Sequence, residues 1–405
     1  MKHIILALAL ITSLVSCQKP GGNDDSDNTL KPLNLSTRSA GFIQKGEPFS
    51  FEFIDRINAE EEGEYIISPL SMQILLGMIL NGAQGKTADE ICNVLGYGSG
   101  EIDAVNEFCQ AMLRQLPELD KKTTLTMANA IFVDDGWPLL DSYKKTVGRY
   151  YDAEIANLDF SDNARSLKAI NGWCNDHTNG LIPAILDQVD PGMLAYLLNA
   201  MYFKSQWTDK FEKSATGDEK FMDESGKTSP VKMMKRTGEY SYYEDDVLQA
   251  VRLPYGNGAF SMTVFLPQAK HTVADVIAAL KKTNAHYSMF PCEVNLWLPR
   301  FETKYHILLN DILSAMGMPS AFTGAADFKA MSDYAGRLSF VQQDAVIKVD
   351  EEGSEAAVIS SAGIEKATAA GPGSFVVFHD DHPFLYLITE SSTGAVLFAG
   401  RYGRK

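Results

Sequence analysis

Cysteine is scarce and carries no pattern: Cys17, Cys92, Cys109, Cys174 and Cys292 show no CxxC pair and no finger spacing in 405 residues. That argues against a disulfide framework or a zinc ribbon and predicts buried thiols with at most one incidental bridge. Positive charge is also short. Lys and Arg number 36 against 52 Asp and Glu, a net charge of −16, which disfavours nucleic acid and heparin-like partners and favours solubility. Lys144, Lys145 and Arg149 read as the solvated face of a helix. Beyond the first 16 residues no apolar run is long enough to span a bilayer. The chain lacks a GxSxG elbow, an HExxH pair and a phosphate loop, and Gly256-Asn257-Gly258 stands without the rest of a dinucleotide fingerprint. No enzyme and no cofactor are therefore expected. His379-Asp380-Asp381-His382 has the residue types of a metal-ligand set, but it reads as a polar turn ahead of Pro383, so no metal is expected either. From Pro48 onward there is no Pro/Gly/Ser-rich linker and no repeat. One large domain and the two or three that the length suggests both stay open.

What is present begins with Lys2, His3 and an apolar run from Ile4 to Val15, the layout of a signal peptide over residues 1–16. Leu14-Val15-Ser16-Cys17 resembles a bacterial lipobox, which implies that Cys17 is lipidated and opens the mature chain. An ordinary signal peptide with an incidental Cys is the alternative. Gln18 stands where an Asp would suggest inner-membrane retention. The expected place is the cell envelope, anchored to the outer membrane, surface-exposed or facing the periplasm, with the membrane touched only through Cys17. Residues 17–40 read as an acidic tether, with Pro20-Gly21-Gly22, Asp24, Asp25 and Asp27, and residues 41–405 as the globular part.

The stretch from Val349 to Ser374, VDEEGSEAAVISSAGIEKATAAGPGS, has a double character. Ser354, Ala356, Val358, Ser360, Ala362 and Ile364 would share one small, mostly apolar strand face, while Glu355 and Glu365 mark the other face as wetter. Past Ile364 the composition turns into that of an exposed loop. Alternation alone predicts a small-residue strand feeding a surface loop.

Helical stripes run through Phe49–Ile57, from a Ser68-Pro69 start to Asn81-Gly82, and from a Thr87/Glu90 capping box to Leu95. Others cover residues 102–116, 141–151, 163–179 and 307–316. Strands are predicted at Thr124–Val133, at Met193–Phe203 (covered on both faces), at Phe340–Asp350, after Pro383 and at Val396–Tyr402. Many of these segments carry a second signal. EEGSEAA at Glu351–Ala357, YIISPLSMQILLGMILNGAQGKTADEI from Tyr65, INGWCNDHTNGLI from Ile170, NAMYFKSQW from Asn199, LPRF from Leu298 and HPFL from His382 are together similar to motifs of the serpins, the serine protease inhibitor superfamily. The similarity spreads over about residues 50 to 402.

The resemblance implies one α+β domain, with about nine helices around three β-sheets and an exposed reactive-centre loop over about residues 350–382. It implies a monomer that acts as a suicide substrate for elastase-like or trypsin-like serine proteases, with papain-like cysteine proteases as further targets. The alternative is a non-inhibitory serpin acting as a binding or chaperone module. The hinge maps to Glu351, Glu352, Gly353, Ser354, Glu355, Ala356, Ala357 and Val358, where Val358 is larger than is usual. Family spacing puts the cut after Ala367, with Thr368 across the bond. A shift of one residue gives Lys366, and Glu365 or Thr368 stay open as the residue before the cut. The shutter and breach, where the sheet parts, map to Ser68, Ser71, Asn199, Trp207 and Gln343, the last replacing the family's usual histidine.

Overall fold

The computed structural model describes residues 28–98, 100–283, 287–354 and 376–404. Among them lie eight α-helices: α1 (Thr37–Glu60), α2 (Pro69–Gly82), α3 (Gly85–Val94), α4 (Ile102–Gln115), α5 (Asp141–Tyr151), α6 (Asn163–His177), α7 (Val273–Thr283) and α8 (Asn310–Met316). The first strands are β1 (Tyr65–Ile67), β2 (Thr124–Asp134), β3 (Glu154–Leu158), β4 (Ala195–Gln206), β5 (Gly217–Met222), β6 (Thr228–Glu244), β7 (Leu248–Tyr255) and β8 (Phe260–Pro267). They are followed by β9 (Phe290–Pro299), β10 (Phe301–Leu308), β11 (Gln342–Val349), β12 (Gly353–Ser354), β13 (Val376–His379), β14 (Phe384–Glu390) and β15 (Val396–Tyr402).

Six strands form one sheet in the order β10-β11-β12-β4-β2-β3. The other nine run β1-β15-β14-β8-β7-β6-β9-β13, with β5 added on β6. Three sheets were expected, and hydrogen bonding among the described residues joins them into two. The cause is β6, which at 17 residues runs unbroken past β5, β9 and β7 and fuses two sheets into one. The architecture is α+β, as expected.

The main core lies between the two sheets and around α2, which is buried on nearly every side. Ser68 starts this helix, its hydroxyl accepting the Ser71 N–H ahead of Pro69, so one orphan donor is satisfied and the proline presents none. A second cluster packs α6 against the opposite face of β2 and β4 through Phe132, Trp173, Tyr196 and Leu198. β4 is therefore covered on both faces, as its continuous apolar run predicts.

Three expectations shift. Thr87 and Glu90 do not cap α3, whose first turn follows Gln84 without a side-chain cap; Thr87 accepts from Asp327 N–H, and Glu90 takes both the N–H and hydroxyl of Ser320. Ile307 and Leu308 belong to β10, held there by pairing with Gln343 and Gln342, and the helix begins only at Asn310. The tether expected over residues 17–40 is shorter at its far end: Leu33 is buried, Asn34 exchanges two hydrogen bonds with the Gln115 side chain (2.8 and 2.9 Å), and α1 starts at Thr37. The signal segment and Cys17 lie outside the described residues. The other four cysteines are free, three of them buried.

Candidate functional site

The segment expected to be the hinge is built around β12, two residues long and seated between β11 and β4, with Ser354 opposite Val349 and Ser205, and Gly353 opposite Gln206. Gly353 is required by crowding, since a Cβ there would lie 2.1 Å from the Ser205 carbonyl oxygen. The turn before it closes through Asp350 N–H to Gly353 O (2.9 Å) and Glu352 N–H to the Asp350 carboxylate (2.9 Å). Trp207 clamps this turn, its indole N–H donating to Asp350 O (2.8 Å) and its backbone N–H to Glu352 O (2.9 Å). The Trp207 ring stacks on Tyr255 at 4.5 Å, and the Tyr255 hydroxyl meets Ser354 Oγ at 2.6 Å.

The two hinge glutamates have different surroundings. Glu351 is buried, accepts from Thr216 Oγ1 (2.8 Å) and lies 3.6 Å from Arg300. Glu352 is paired outside with Lys210 (2.7 Å) and Lys213 (3.2 Å), and the Lys210 hydrogen bond holds its carboxyl below the ordinary range. Thus Trp207, Glu351, Glu352, Gly353 and Ser354 come together. Glu355, Ala356, Ala357, Val358, Lys366, Ala367 and Thr368 lie outside the described residues.

Beyond β12 no ladder joins β4 to β11 among the described residues. A cavity of about 450 Å³ opens there, lined in part by Ser68, Ser71, Met72, Asn199, Phe340 and Gln343. Each flank of the gap is pinned to the start of α2. From β11, the Gln343 side chain accepts the Ser68 N–H (2.8 Å) and donates to Ser68 O (3.0 Å). From β4, Asn199 accepts from the Ser71 hydroxyl and donates to Asn129 Oδ1 (2.7 Å), and Asn129 in turn donates to Tyr151 O (2.7 Å). Ser68 Oγ donates to Leu397 O (2.6 Å), fixing the helix start to β15. Sequence reasoning did not find Asn129, Tyr255, Thr216 or Arg300. Each meets its partner across many tens of residues, with no spacing to betray it.

The His379-Asp380-Asp381-His382 turn contains no group suited to a metal among the described residues. His382 bonds Asp381 (2.8 Å) and Pro267 O (2.9 Å) instead. Asp380 is not part of a wet turn: it is fully buried, both oxygens lack partners, and burial, then the Asp381 charge, push its carboxyl well above the usual range.

A family model for serpin (serine protease inhibitor) matches residues 44–404. The chain belongs to the serpin family. It is 31% identical over 347 residues to serine protease inhibitor 42Dd of Drosophila melanogaster, covering 83% of this chain and 90% of that protein. The crystal structure of tengpin, a thermophilic serpin in the native state, matches with a TM-score of 0.81 at 27% identity, over 92% of this chain and 96% of tengpin. Human thyroxine-binding globulin complexed with its hormone matches with a TM-score of 0.80 at 25% identity, over 90% and 98%. Serpins in general inhibit proteases rather than catalyse reactions, although some, like that globulin, are not inhibitors.

Proposed function

We propose that this serpin traps serine proteases as a suicide substrate. The protease nucleophile attacks the carbonyl before the scissile bond, the amine leaves, and an acyl-enzyme forms. The freed upstream half of the loop then adds to the six-stranded sheet, the known device of the family. One observation carries this reading: β12 is a strand already begun, at the mouth of a gap between β4 and β11.

If insertion continued the register of Ser354, Ala356 would come between Phe203 and Ile347, Val358 between Met201 and Ala345, and Ser360 between Asn199 and Gln343. Like Ser354, these positions would face the main core, where Val349, Phe203, Ala345 and Ile347 already lie. Val358 would meet the small Ala345, which offsets its size, and β-branched residues suit strands. Ser360 would bring a hydroxyl between the two polar pins.

About fourteen inserted residues at ~3.3 Å each move the tethered protease ~46 Å. Their ladder bonds, at ~0.5–1.5 kcal/mol each, supply about 7–20 kcal/mol, comparable with the stability of a whole domain. Ala367 before the cut, with Thr368 across the bond, suits elastase-like pockets, and Lys366 before the cut suits trypsin-like ones. Papain-like proteases are further targets. The sequence of residues 1–18 supports anchoring in the outer membrane through a lipid on Cys17, and the family resemblance supports a monomer.

Incubation with trypsin and with elastase should give a detergent-resistant covalent band, and mass spectrometry of the released fragment should identify the cut. Intact proteases beside nicked inhibitor would favour a non-inhibitory binding protein. Cys17→Ala should release the protein from membranes; a variant that stays membrane-bound would remove the lipid anchor from this account.

A further inference from the structure

We propose that the anchored inhibitor stands on the membrane by its sheet-opening end, so that the hinge faces the bilayer and a captured protease is carried outward. The proposal rests on the lipidation of Cys17 and on the loop insertion proposed above. Asn28, where the described chain begins, is seated between two loops. Its side chain donates to Asp120 Oδ1 (2.8 Å), accepts the Lys121 N–H (2.9 Å) and lies 3.5 Å from Asn257 Nδ2.

Both neighbours lead directly to the hinge. On one side, Asp120 Oδ2 accepts from Thr123 Oγ1 (2.7 Å), which meets Ser205 Oγ at 2.6 Å, and Ser205 is the register partner of Ser354. On the other, Gly256 N–H donates to the carbonyl of Gln206 (2.8 Å), the register partner of Gly353, and Tyr255 bonds Ser354 itself. Asp120, Thr123 and Ser205 are buried, so this is a built socket. Leu33 N–H to Ser392 (3.1 Å) and the Asn34–Gln115 pair fix the chain that follows.

Ten residues separate Cys17 from Asn28; whatever their conformation, the eleven steps between the two reach no further than ~40 Å. The hinge end is therefore held close to the bilayer. β12 is antiparallel to β4 and starts at Gln206, so insertion grows toward Ala195, away from Asn28, over ~46 Å. A protease domain of ordinary size, roughly 45 Å across, would have to enter the narrow space under the inhibitor from bulk solution. The partner that fits is a protease working at the same membrane surface, whose active site already lies at the height of the loop.

Two measurements test this. The lipidated protein in phosphatidylethanolamine–phosphatidylglycerol vesicles should form its complex with soluble trypsin about tenfold more slowly than Cys17→Ala protein in solution. A thirty-residue Gly/Ser insertion between Asp27 and Asn28 should restore the rate on vesicles and change nothing in solution. If the insertion leaves the vesicle rate unchanged, the proposal is overturned. The second measurement needs neither lipidation nor inhibition. A histidine tag replacing residues 1–17 docks the chain on nickel-chelating vesicles, and a fluorophore is placed on Lys122→Cys or Asp190→Cys in a Cys292→Ser background. Energy transfer to headgroup acceptors should be greater from Lys122→Cys; equal or greater transfer from Asp190→Cys overturns the orientation while leaving the inhibitory reading intact.

Discussion

A single methyl group is what Gly353 has no room for. Placed 2.1 Å from the Ser205 carbonyl, it would push β12 off β4 and disturb the Tyr255–Ser354 contact. Gly353→Ala should destabilise the native protein by about 1–3 kcal/mol and raise the fraction of loop nicked without trapping. Thermal melts and the ratio of complex to nicked product on denaturing gels measure both. Asp380 makes a prediction of opposite sign. Burial raises its folded-state pKa well above the ordinary value, so between the two values the native state binds one more proton than the unfolded chain. Stability from this group is present below about pH 4, the unfolded value, and declines as pH rises from there toward the raised folded-state value. Asp380→Asn keeps the shape and cannot ionise, so the variant should be the more stable at pH 7.5 and should lose that slope. A melting-temperature profile from pH 4 to 8 that is parallel for the two proteins would contradict the assignment.

The first turn of α2 is a common post for two strands that part if the loop inserts as proposed. Gln343 holds β11 to Ser68, and Asn199 holds β4 to Ser71. None of these four side chains titrates near neutrality, so the rate at which the gap opens should be flat from pH 6 to 8. Gln343→His should introduce a pH dependence in the complex-formation rate near the imidazole pKa of ~6.5. Loss of a buried bond to Ser68 should also cost ~1–3 kcal/mol of native stability. A flat profile for the histidine variant would mean that Gln343 is not on the opening path. The start of α2 was legible from sequence because Ser68 and Pro69 are neighbours, and capping acts within a few residues. The same logic applied to Thr87 and Glu90 misled, because Asp327 and Ser320 take those side chains from across the fold.

For the molecule as a whole, trapping by insertion requires a native state that is less stable than the state it reaches after one cut. Cleavage in the loop should raise the melting temperature and add β-structure by circular dichroism. Nicked and intact protein with equal melting temperatures would remove the energetic basis of trapping. The same scale explains what local patterns misjudged. The long β6 joins sheets that alternation cannot count, because pairing partners are chosen by neighbours in space. Residues 28–36 looked like spacer, yet Leu33 and Asn34 are fixed by Ser392 and Gln115, hundreds and tens of residues away.

Sequence alone determined the start of α2 at Ser68-Pro69, the two-sided burial of β4 and the negative net charge, because capping, periodicity and charge are properties of neighbouring residues. Tertiary structure decided how the residues named by the resemblance are held, with Trp207 clamping the turn before β12 and Ser68 and Ser71 pinning opposite sides of one gap, and it alone brought Tyr255 to Ser354, buried Asp380 and seated Asn28 beside the opening. Those contacts join residues whose separation along the chain leaves no spacing signal, and only packing brings them within reach of one another.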